Sequence, residues 1–200
     1  MIQASLTIAY PGLVYLALQV ASPRTVGLCI LGLLALRLAL VSRHKLAAYA
    51  RLAAPVAAAF IVTSLASLVW NDPVSLLLAP VLVNFALLCA FGSSLTRRET
   101  LVETLALAQA GSLSAEERAY CRRLTAVWCA FFLANGAIAG ELAFAGTREA
   151  WALYTGAIAY AAMALLFAVE FIYRHWRFRR YIGLPTDPLL RRIFPPDASR

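Results

Sequence analysis

The 200-residue chain has little charge, since only 14% of its residues are Asp, Glu, Lys or Arg, against roughly 25% in soluble domains. Hydrophobic residues make up 62%. A soluble core of this size cannot bury so much apolar surface, whereas a lipid bilayer can. We therefore expect an integral membrane protein with one membrane domain and no separate soluble enzyme domain.

The chain is also poor in residues that build catalytic and metal sites. Its only histidines, His44 and His175, lie in basic segments, and its four cysteines contain no C-x-x-C pair. Zinc-protease, serine-hydrolase and phosphate-loop motifs are lacking. We therefore predict no catalytic residue, no metal site and no cofactor, with the cysteines as buried free thiols.

Six apolar runs approach the length of about twenty residues that a membrane-spanning helix needs. These runs are 4–21, 25–42, 52–70, 74–92, 122–142 and 150–173. The first has no basic stretch before it and contains Pro11, so we expect a retained span rather than a cleaved signal peptide. Asn71-Asp72-Pro73 predicts a tight turn. The expected fold is all-α, with one domain of six transmembrane helices over 1–176 and a basic cytoplasmic tail over 177–200.

The positive charges are concentrated where they predict the orientation. Of the 18 lysines and arginines, 15 lie in three stretches, 43–51, 97–123 and 174–200. Six spans place these stretches on one side of the membrane and leave only Arg24 and Arg148 on the other. Because basic loops stay in the cytoplasm, we predict that both termini are cytoplasmic. A five-span alternative requires the first run to re-enter the membrane rather than cross it.

The interval 93–121 is the longest polar stretch between spans. Thr96-Arg97-Arg98-Glu99 and Ser114-Ala115-Glu116-Glu117 both match the capping box that begins helices. The first predicts an amphipathic helix at about 97–110, ended by Gly111 and lying on the membrane surface. The second predicts a helix that runs directly into the fifth span.

Four polar residues fall within the predicted spans, where such residues are costly and are candidates for function. They are Arg37, Asn84, Asn135 and Glu170. Arg37 can extend to the headgroups or form a buried ion pair. Glu170 can pair with Arg174, four residues further on, or across helices with Arg37 or Arg122. The two asparagines fit helix packing, with a substrate contact as the alternative.

The end of the sixth span interleaves arginines with aromatic residues. The residues that we expect to contact lipid or a partner are Arg174, Trp176, Arg177, Arg179 and Arg180, together with Arg122 and Arg123. Anionic headgroups are the nearest partner, and each basic side chain at the surface contributes about 1 kcal/mol. An acidic cytoplasmic protein is the alternative partner, whereas the position beside a span argues against nucleic acid.

Several residues, taken in order, resemble a known bacterial family. They are Trp70-Asn71-Asp72-Pro73, the run from Arg122 to Phe132 with Trp128, then Asn135, Trp151, Glu170 and Tyr173-Arg174-His175. Over residues 10–175 the chain resembles intracellular septation protein A and its small membrane-protein relatives. The arginine-rich tail after 176 is more similar to relatives encoded beside aryl-polyene and fatty-acid-like biosynthetic enzymes. The resemblance implies a non-enzymatic role in cell-envelope synthesis and supplies no catalytic residues.

Three hypotheses for function follow from these observations. The first is a non-catalytic inner-membrane accessory or scaffold protein of envelope lipid or polyene acyl-chain biosynthesis. Its basic face would bind anionic lipid, an acyl carrier protein or an envelope-synthesis complex, as a monomer or a homo-oligomer. The second is a small transporter or lipid-binding protein with the intramembrane asparagines and Arg37 lining a cavity. The third is a membrane enzyme with Glu170 and Arg122 or Arg123 at a cytoplasmic-side site.

Overall fold

A computed structural model describes residues 2–40 and 43–179, with side chains for residues 10–36 and 54–179. Every regular element in this described part is helical, which confirms the all-α prediction. The helices are α1 (Ile2–Val20), α2 (Pro23–Leu40), α3 (Arg43–Trp70), α4 (Pro73–Leu77), α5 (Ala79–Leu95), α6 (Leu101–Ala110), α7 (Ala115–Phe144), α8 (Arg148–Leu153) and α9 (Ala159–Phe178). A π-helical segment, Tyr154–Ile158, joins α8 to α9. Arg180 lies outside the described residues, and Arg37 lies outside the described side chains.

Three helical segments in the described chain are long and apolar enough to cross a membrane. They are Pro73–Leu95, Ala115–Phe144 and Arg148–Phe178, with 23, 30 and 31 residues. At about 1.5 Å per residue, each exceeds the roughly 30 Å thickness of the hydrocarbon core. These segments contain the fourth, fifth and sixth predicted spans and support a membrane location.

Boundaries at α3, α5 and α9 differ from those predicted from the sequence, and α9 continues past residue 173 to Phe178. Helix α3 already begins at Arg43, so the predicted loop 43–51 is the first part of a helix. Its Ala, Leu, Lys and Arg residues are all good helix formers, which explains the extension. The fourth span continues past Gly92 to Leu95, because a single glycine inside an apolar run does not end a helix.

The predicted turn at Asn71-Asp72-Pro73 is confirmed. Asn71 takes a left-handed backbone conformation, with φ 50°, which asparagine tolerates better than most residues. The Asp72 carboxylate accepts a hydrogen bond from the N–H of Val74 at 3.1 Å and so caps α4. Pro73 occupies the first turn of that helix, where no N–H is needed.

The chain divides into two compact units, each with most of its residue contacts within itself. The first unit comprises Met1–Ala90 and Trp128–Tyr160, and the second comprises Phe91–Val127 and Ala161–Arg200. Trp151 is fully buried in the first unit. The residues that form this core with it are Val14, Leu18, Val26, Leu76, Leu77 and Ala143. The core therefore joins α1, α2, α4, α7 and α8.

The break between α4 and α5 follows from Pro80. In an uninterrupted helix, the carbonyl of Leu76 would accept a hydrogen bond from the N–H of residue 80, which proline lacks. The hydroxyl of Tyr10, on α1, donates to this carbonyl instead at 3.2 Å. The indole N–H of Trp151 donates to the carbonyl of Leu77 at 3.1 Å. Two aromatic side chains thus satisfy the backbone where a membrane offers no water to do so.

The α1–α2, α3–α4 and α7–α8 turns lie at the same end of the first unit. Arg24 Nε donates to the carbonyl of Leu68 at 3.0 Å, and its backbone N–H donates to Asn71 Oδ1 at 3.3 Å. The Tyr15 hydroxyl donates to Glu149 Oε1 at 3.3 Å. The helices of this unit therefore run in antiparallel pairs whose connections share one end.

Candidate functional site

The charged residues of the described chain are concentrated in the second unit. Its described part holds eight arginines and five glutamates. Six of these arginines are exposed, and we call them the basic surface: Arg97, Arg98, Arg118, Arg122, Arg123 and Arg177. Three of the six, Arg122, Arg123 and Arg177, were predicted from the sequence to contact lipid or a partner.

The helix that positions part of this surface begins later than the sequence predicts. The prediction that Thr96 caps this helix is wrong, because α6 begins at Leu101 and Thr100 is its N-cap. The N–H of Glu103 donates to the Thr100 hydroxyl at 3.3 Å, and the N–H of Thr100 donates to Glu103 Oε2 at 3.4 Å. The Ser94 hydroxyl accepts a further hydrogen bond, from the N–H of Leu101, at 3.1 Å. Arg97 and Arg98 are therefore in the connection before the helix.

The other predicted helix signals in this interval are confirmed. The N–H of Ser114 donates to Glu117 Oε2 at 2.7 Å, and the N–H of Glu117 donates back to Ser114 Oγ at 3.2 Å. Helix α7 then runs without interruption into the fifth span. Gly111 ends α6 with φ 73°, in the left-handed region that favours glycine.

Glu103 is the most deeply buried acidic side chain in the described part of the second unit. Its side chain is 4% exposed, and Oε1 lies 2.6 Å from Arg118 Nη1. Because a buried carboxylate is costly without a partner, the contact holds the Arg118 guanidinium in place. A cavity of about 380 Å³ lies beside this pair, lined by Arg98, Glu103, Arg118, Ala119 and Arg122.

Arg122 and Arg123 differ in their contacts. Arg122 Nη2 donates to the carbonyl of Leu95, the last residue of α5, and so satisfies a helix C-terminus that favours positive charge. Arg123 lines a second cavity of about 150 Å³. The other lining residues of that cavity are Glu116, Ala119, Tyr120, Tyr173, Arg177 and Phe178. The two cavities share Ala119 and therefore flank the same part of α7.

Glu170 pairs with its neighbour on the same helix. Its carboxylate lies 3.3 Å from Arg174 Nε, as the spacing of four predicts. Tyr120 also lies near this carboxylate. The alternative pairing with Arg122 is not formed, because that guanidinium contacts Leu95 instead. Its side chain is 13% exposed, so these partners occupy the carboxylate proposed for an enzyme site.

The end of α9 combines aromatic contacts with ion pairs. The rings of Tyr120 and Tyr173 stack with centroids 5.6 Å apart. The Arg177 guanidinium pairs with Glu116. Trp176 is 54% exposed, as expected of a residue that contacts lipid. The N–H of Arg179 donates to the carbonyl of His175 at 3.1 Å, just after the helix ends.

The two intramembrane asparagines, both in the first unit, contact each other. Asn135 Nδ2 donates to Asn84 Oδ1 at 3.0 Å, and the Tyr154 hydroxyl donates to Asn135 Oδ1 at 2.9 Å. Asn84 Nδ2 donates to the carbonyl of Pro80 at 2.8 Å. A Cβ at Gly136 would lie 3.2 Å from Asn84 Cβ. These contacts favour the packing interpretation over a polar transport cavity.

The cysteines are free, as predicted, but only partly buried. Cys121 is buried and Cys129 is half-buried, whereas Cys29 and Cys89 are exposed. The prediction that all four are buried is therefore wrong. Apolar runs near a bilayer have surface facing lipid, so an apolar neighbourhood in sequence does not imply burial within the fold. No group of residues with metal-ligand chemistry occurs in the described part of the chain.

Sequence reasoning missed Arg98, Glu103 and Arg118 as members of a common site. A signal was present, because Thr100-Leu101-Val102-Glu103 also matches the capping box. Comparison with known proteins adds nothing to this picture: no protein-family model, curated protein or solved structure matches the chain.

Proposed function

We propose that the protein is a multi-pass inner-membrane accessory protein whose basic surface holds anionic headgroups at the cytoplasmic face. In this proposal it has six spans and both termini in the cytoplasm. It acts without catalysis in cell-envelope lipid or polyene acyl-chain synthesis, as the resemblance to the septation protein A family implies. The anionic lipids, or an acidic protein recruited to the same surface, would bring biosynthetic enzymes to the membrane.

The number of spans has two sources of support besides hydropathy. Helices α1 and α2 have 19 and 18 residues, which is about 27–28 Å at 1.5 Å per residue and close to the thickness of the hydrocarbon core. In addition, three turns share one end of the first unit, as antiparallel crossing pairs require. Both features favour six crossings over five.

The concentration of exposed arginines in the second unit is the observation that carries the proposal. Arg97, Arg98 and Arg123 make no ion pair within the described part of the chain, so their charge is available to a ligand. Trp176 adds an exposed aromatic ring near Arg177, and such rings favour the headgroup region. Arginine and tryptophan together suit an anionic membrane surface better than a neutral one.

Lipid and protein retention in mild detergent tests this function. The full chain carrying Arg97→Glu, Arg123→Glu and Arg177→Glu, three arginines of the basic surface, should co-purify with less anionic lipid or less acidic partner than the parent, as measured by mass spectrometry. Arg148→Glu is the control, because Arg148 is an exposed arginine of the first unit. Unchanged lipid and protein content in the triple variant would contradict the proposal. Loss of an acyl carrier protein alone would favour the acidic partner over lipid.

The orientation has its own test by labelling with a membrane-impermeant maleimide. In a cysteine-free background, a single cysteine at Asp72 or Arg148 should react from outside intact cells. A cysteine at Arg97 should react only after the membrane is permeabilised. Labelling of Arg97→Cys in intact cells would contradict the proposed topology, whatever the lipid result.

A further inference from the structure

The cavity beside α6 and α7 has features of a built anion site rather than of a general charged surface. Its volume is about 380 Å³, and it is a depression that opens widely to solvent. Three of its lining residues are arginines and one is a glutamate. If all four are ionised, the lining carries two net positive charges.

Two of the arginines are held in position by the fold. Arg118 Nη1 contacts buried Glu103 at 2.6 Å and lies 3.9 Å from Glu99 Oε1. Arg122 contacts the carbonyl of Leu95 through Nη2. A guanidinium has five N–H donors, and these contacts occupy only some of them. Both side chains therefore offer further donors at the cavity without first having to be ordered, which reduces the entropic cost of binding.

Arg98 differs because it makes no hydrogen bond or ion pair to any described residue. It lines the cavity, is exposed, and precedes the first turn of α6. Its neighbour Arg97 is also exposed but does not line the cavity. The sequence thus provides a matched pair of adjacent arginines that differ in access to one site.

We propose that this cavity binds a phosphate monoester group, with Arg98 as a ligand and with Arg118 and Arg122 as fixed donors. A planar guanidinium group can bind two phosphate oxygens at once through two parallel N–H···O hydrogen bonds. A phosphate monoester carries about −1.5 to −2 charge at neutral pH, which matches the net charge of the lining. Glu103 does not repel the ligand, because Arg118 compensates its charge. Glu103 instead acts as a positioning residue for that guanidinium.

This inference rests on the proposed function, since it gives one part of the basic surface a specific ligand. The phosphate could belong to a lipid headgroup or to a soluble phosphate compound. The chemistry of recognition is the same in both cases. Only the presence of acyl chains distinguishes the two sources.

The experiment uses the full chain in nanodiscs of neutral phosphatidylcholine. Inorganic phosphate, water-soluble short-chain phosphatidic acid and short-chain phosphatidylglycerol are titrated separately, and binding is measured by calorimetry. Arg98→Gln should weaken binding of the monoester roughly tenfold or more, because it removes a charged hydrogen-bond donor. Arg97→Gln should change it by less than about twofold. Arg98→Lys keeps the charge but should still lose affinity, since an ammonium is a point charge.

Each outcome supports or overturns the site. Tighter binding of phosphatidic acid than of inorganic phosphate assigns the ligand to a lipid, and equal binding assigns it to a soluble phosphate compound. Equal loss in the Arg97 and Arg98 variants would overturn the site in favour of diffuse attraction, as would equal affinity for the diester phosphatidylglycerol. Absence of binding by the parent protein would also overturn it. These results are independent of the triple-glutamate test, so the site can fail while the proposed function stands.

Discussion

The two units bury polar side chains of different chemistry. In the described first unit the buried polar residues are neutral, and they are Thr63, Ser64, Ser67, Asn84, Asn135 and Thr155. The second unit buries two ionisable residues, Glu103 and His175, besides neutral ones. Glu103 contacts the half-exposed Arg118. Among the described residues, only the second unit therefore buries ionisable side chains as well as neutral ones.

This difference follows from the cost of charge in an apolar medium. A neutral amide or hydroxyl can be satisfied by one or two hydrogen bonds within the fold, as the Asn84–Asn135–Tyr154 contacts show. An ionised group away from water needs a counter-charge as well. We infer that the polar contacts of the first unit mainly hold helices together, whereas those of the second unit mainly prepare a surface for ligands.

Truncation of Trp151 should have the largest effect on stability. Trp151→Ala removes a fully buried ring and leaves the Leu77 carbonyl without its indole donor, so it should lower the free energy of unfolding by about 4 kcal/mol. SDS titration of the full chain in mixed micelles measures this. Trp176→Ala, at a 54% exposed position, should cost less than about 1 kcal/mol. Equal losses would show that burial in the core is not what makes Trp151 important for stability.

The close approach of α2 and α3 should be the next most sensitive feature. A Cβ at Gly27 would lie 2.2 Å from Ser67 Oγ and 3.0 Å from the Ser64 carbonyl oxygen. Gly27→Ala should therefore cost about 1–3 kcal/mol in the same titration. Ser67→Ala in the same chain should restore part of the loss, because it removes the nearer atom.

Gly32 provides the control on the same helix. A Cβ at Gly32 meets no atom within 4 Å, so Gly32→Ala should leave stability unchanged or raise it by up to about 1 kcal/mol, the difference in helix propensity. A loss at Gly32 as large as that at Gly27 would show that the close contacts of Gly27 with α3 are not the cause of the loss there.

The helices were predictable because the length of an apolar run is a local property. The break at Leu78 was not predicted, although Pro80 is visible in the sequence. What makes the break tolerable is the Tyr10 hydroxyl, which is 66 residues away from Leu76 in the chain. Local patterns do not reveal which distant side chain will satisfy a freed carbonyl.

For the candidate site, the sequence predicted where arginines are concentrated but not which of them line one cavity. The sequence offers Thr96 and Thr100 as equivalent caps, each with a glutamate three residues later. The contact between Glu103 and Arg118 joins residues 15 positions apart and anchors the later box. Which of two adjacent arginines then lines the cavity depends on how α6 packs beside α7, and this is a tertiary property.

The asparagine pair should have a smaller effect than either packing change. Asn135→Leu leaves the Tyr154 hydroxyl and Asn84 Oδ1 without their partner, and it should cost about 1–2 kcal/mol. Tyr154→Phe removes one hydrogen bond and should cost about 0.6 kcal/mol, the average for such bonds between membrane helices. The double variant should lose less stability than the two single variants lose together, because each single change removes the same hydrogen bond between the two residues. Strict additivity would show that the two side chains do not interact.

The smallest effect should come from the ion pair between Glu116 and Arg177. Both side chains are about half exposed, at 49% and 47%, so water and salt screen their attraction. Glu116→Gln should change the free energy of unfolding by less than about 0.5 kcal/mol. The same change releases the Arg177 guanidinium, which lines the second cavity, from its ion pair. Retention of anionic lipid should therefore increase at low salt. High salt should remove this increase, because it screens the attraction. A change that alters lipid retention but not stability would sharpen the contrast between the units. A loss of stability comparable to that of Asn135→Leu would instead show that exposed charges also hold the second unit together.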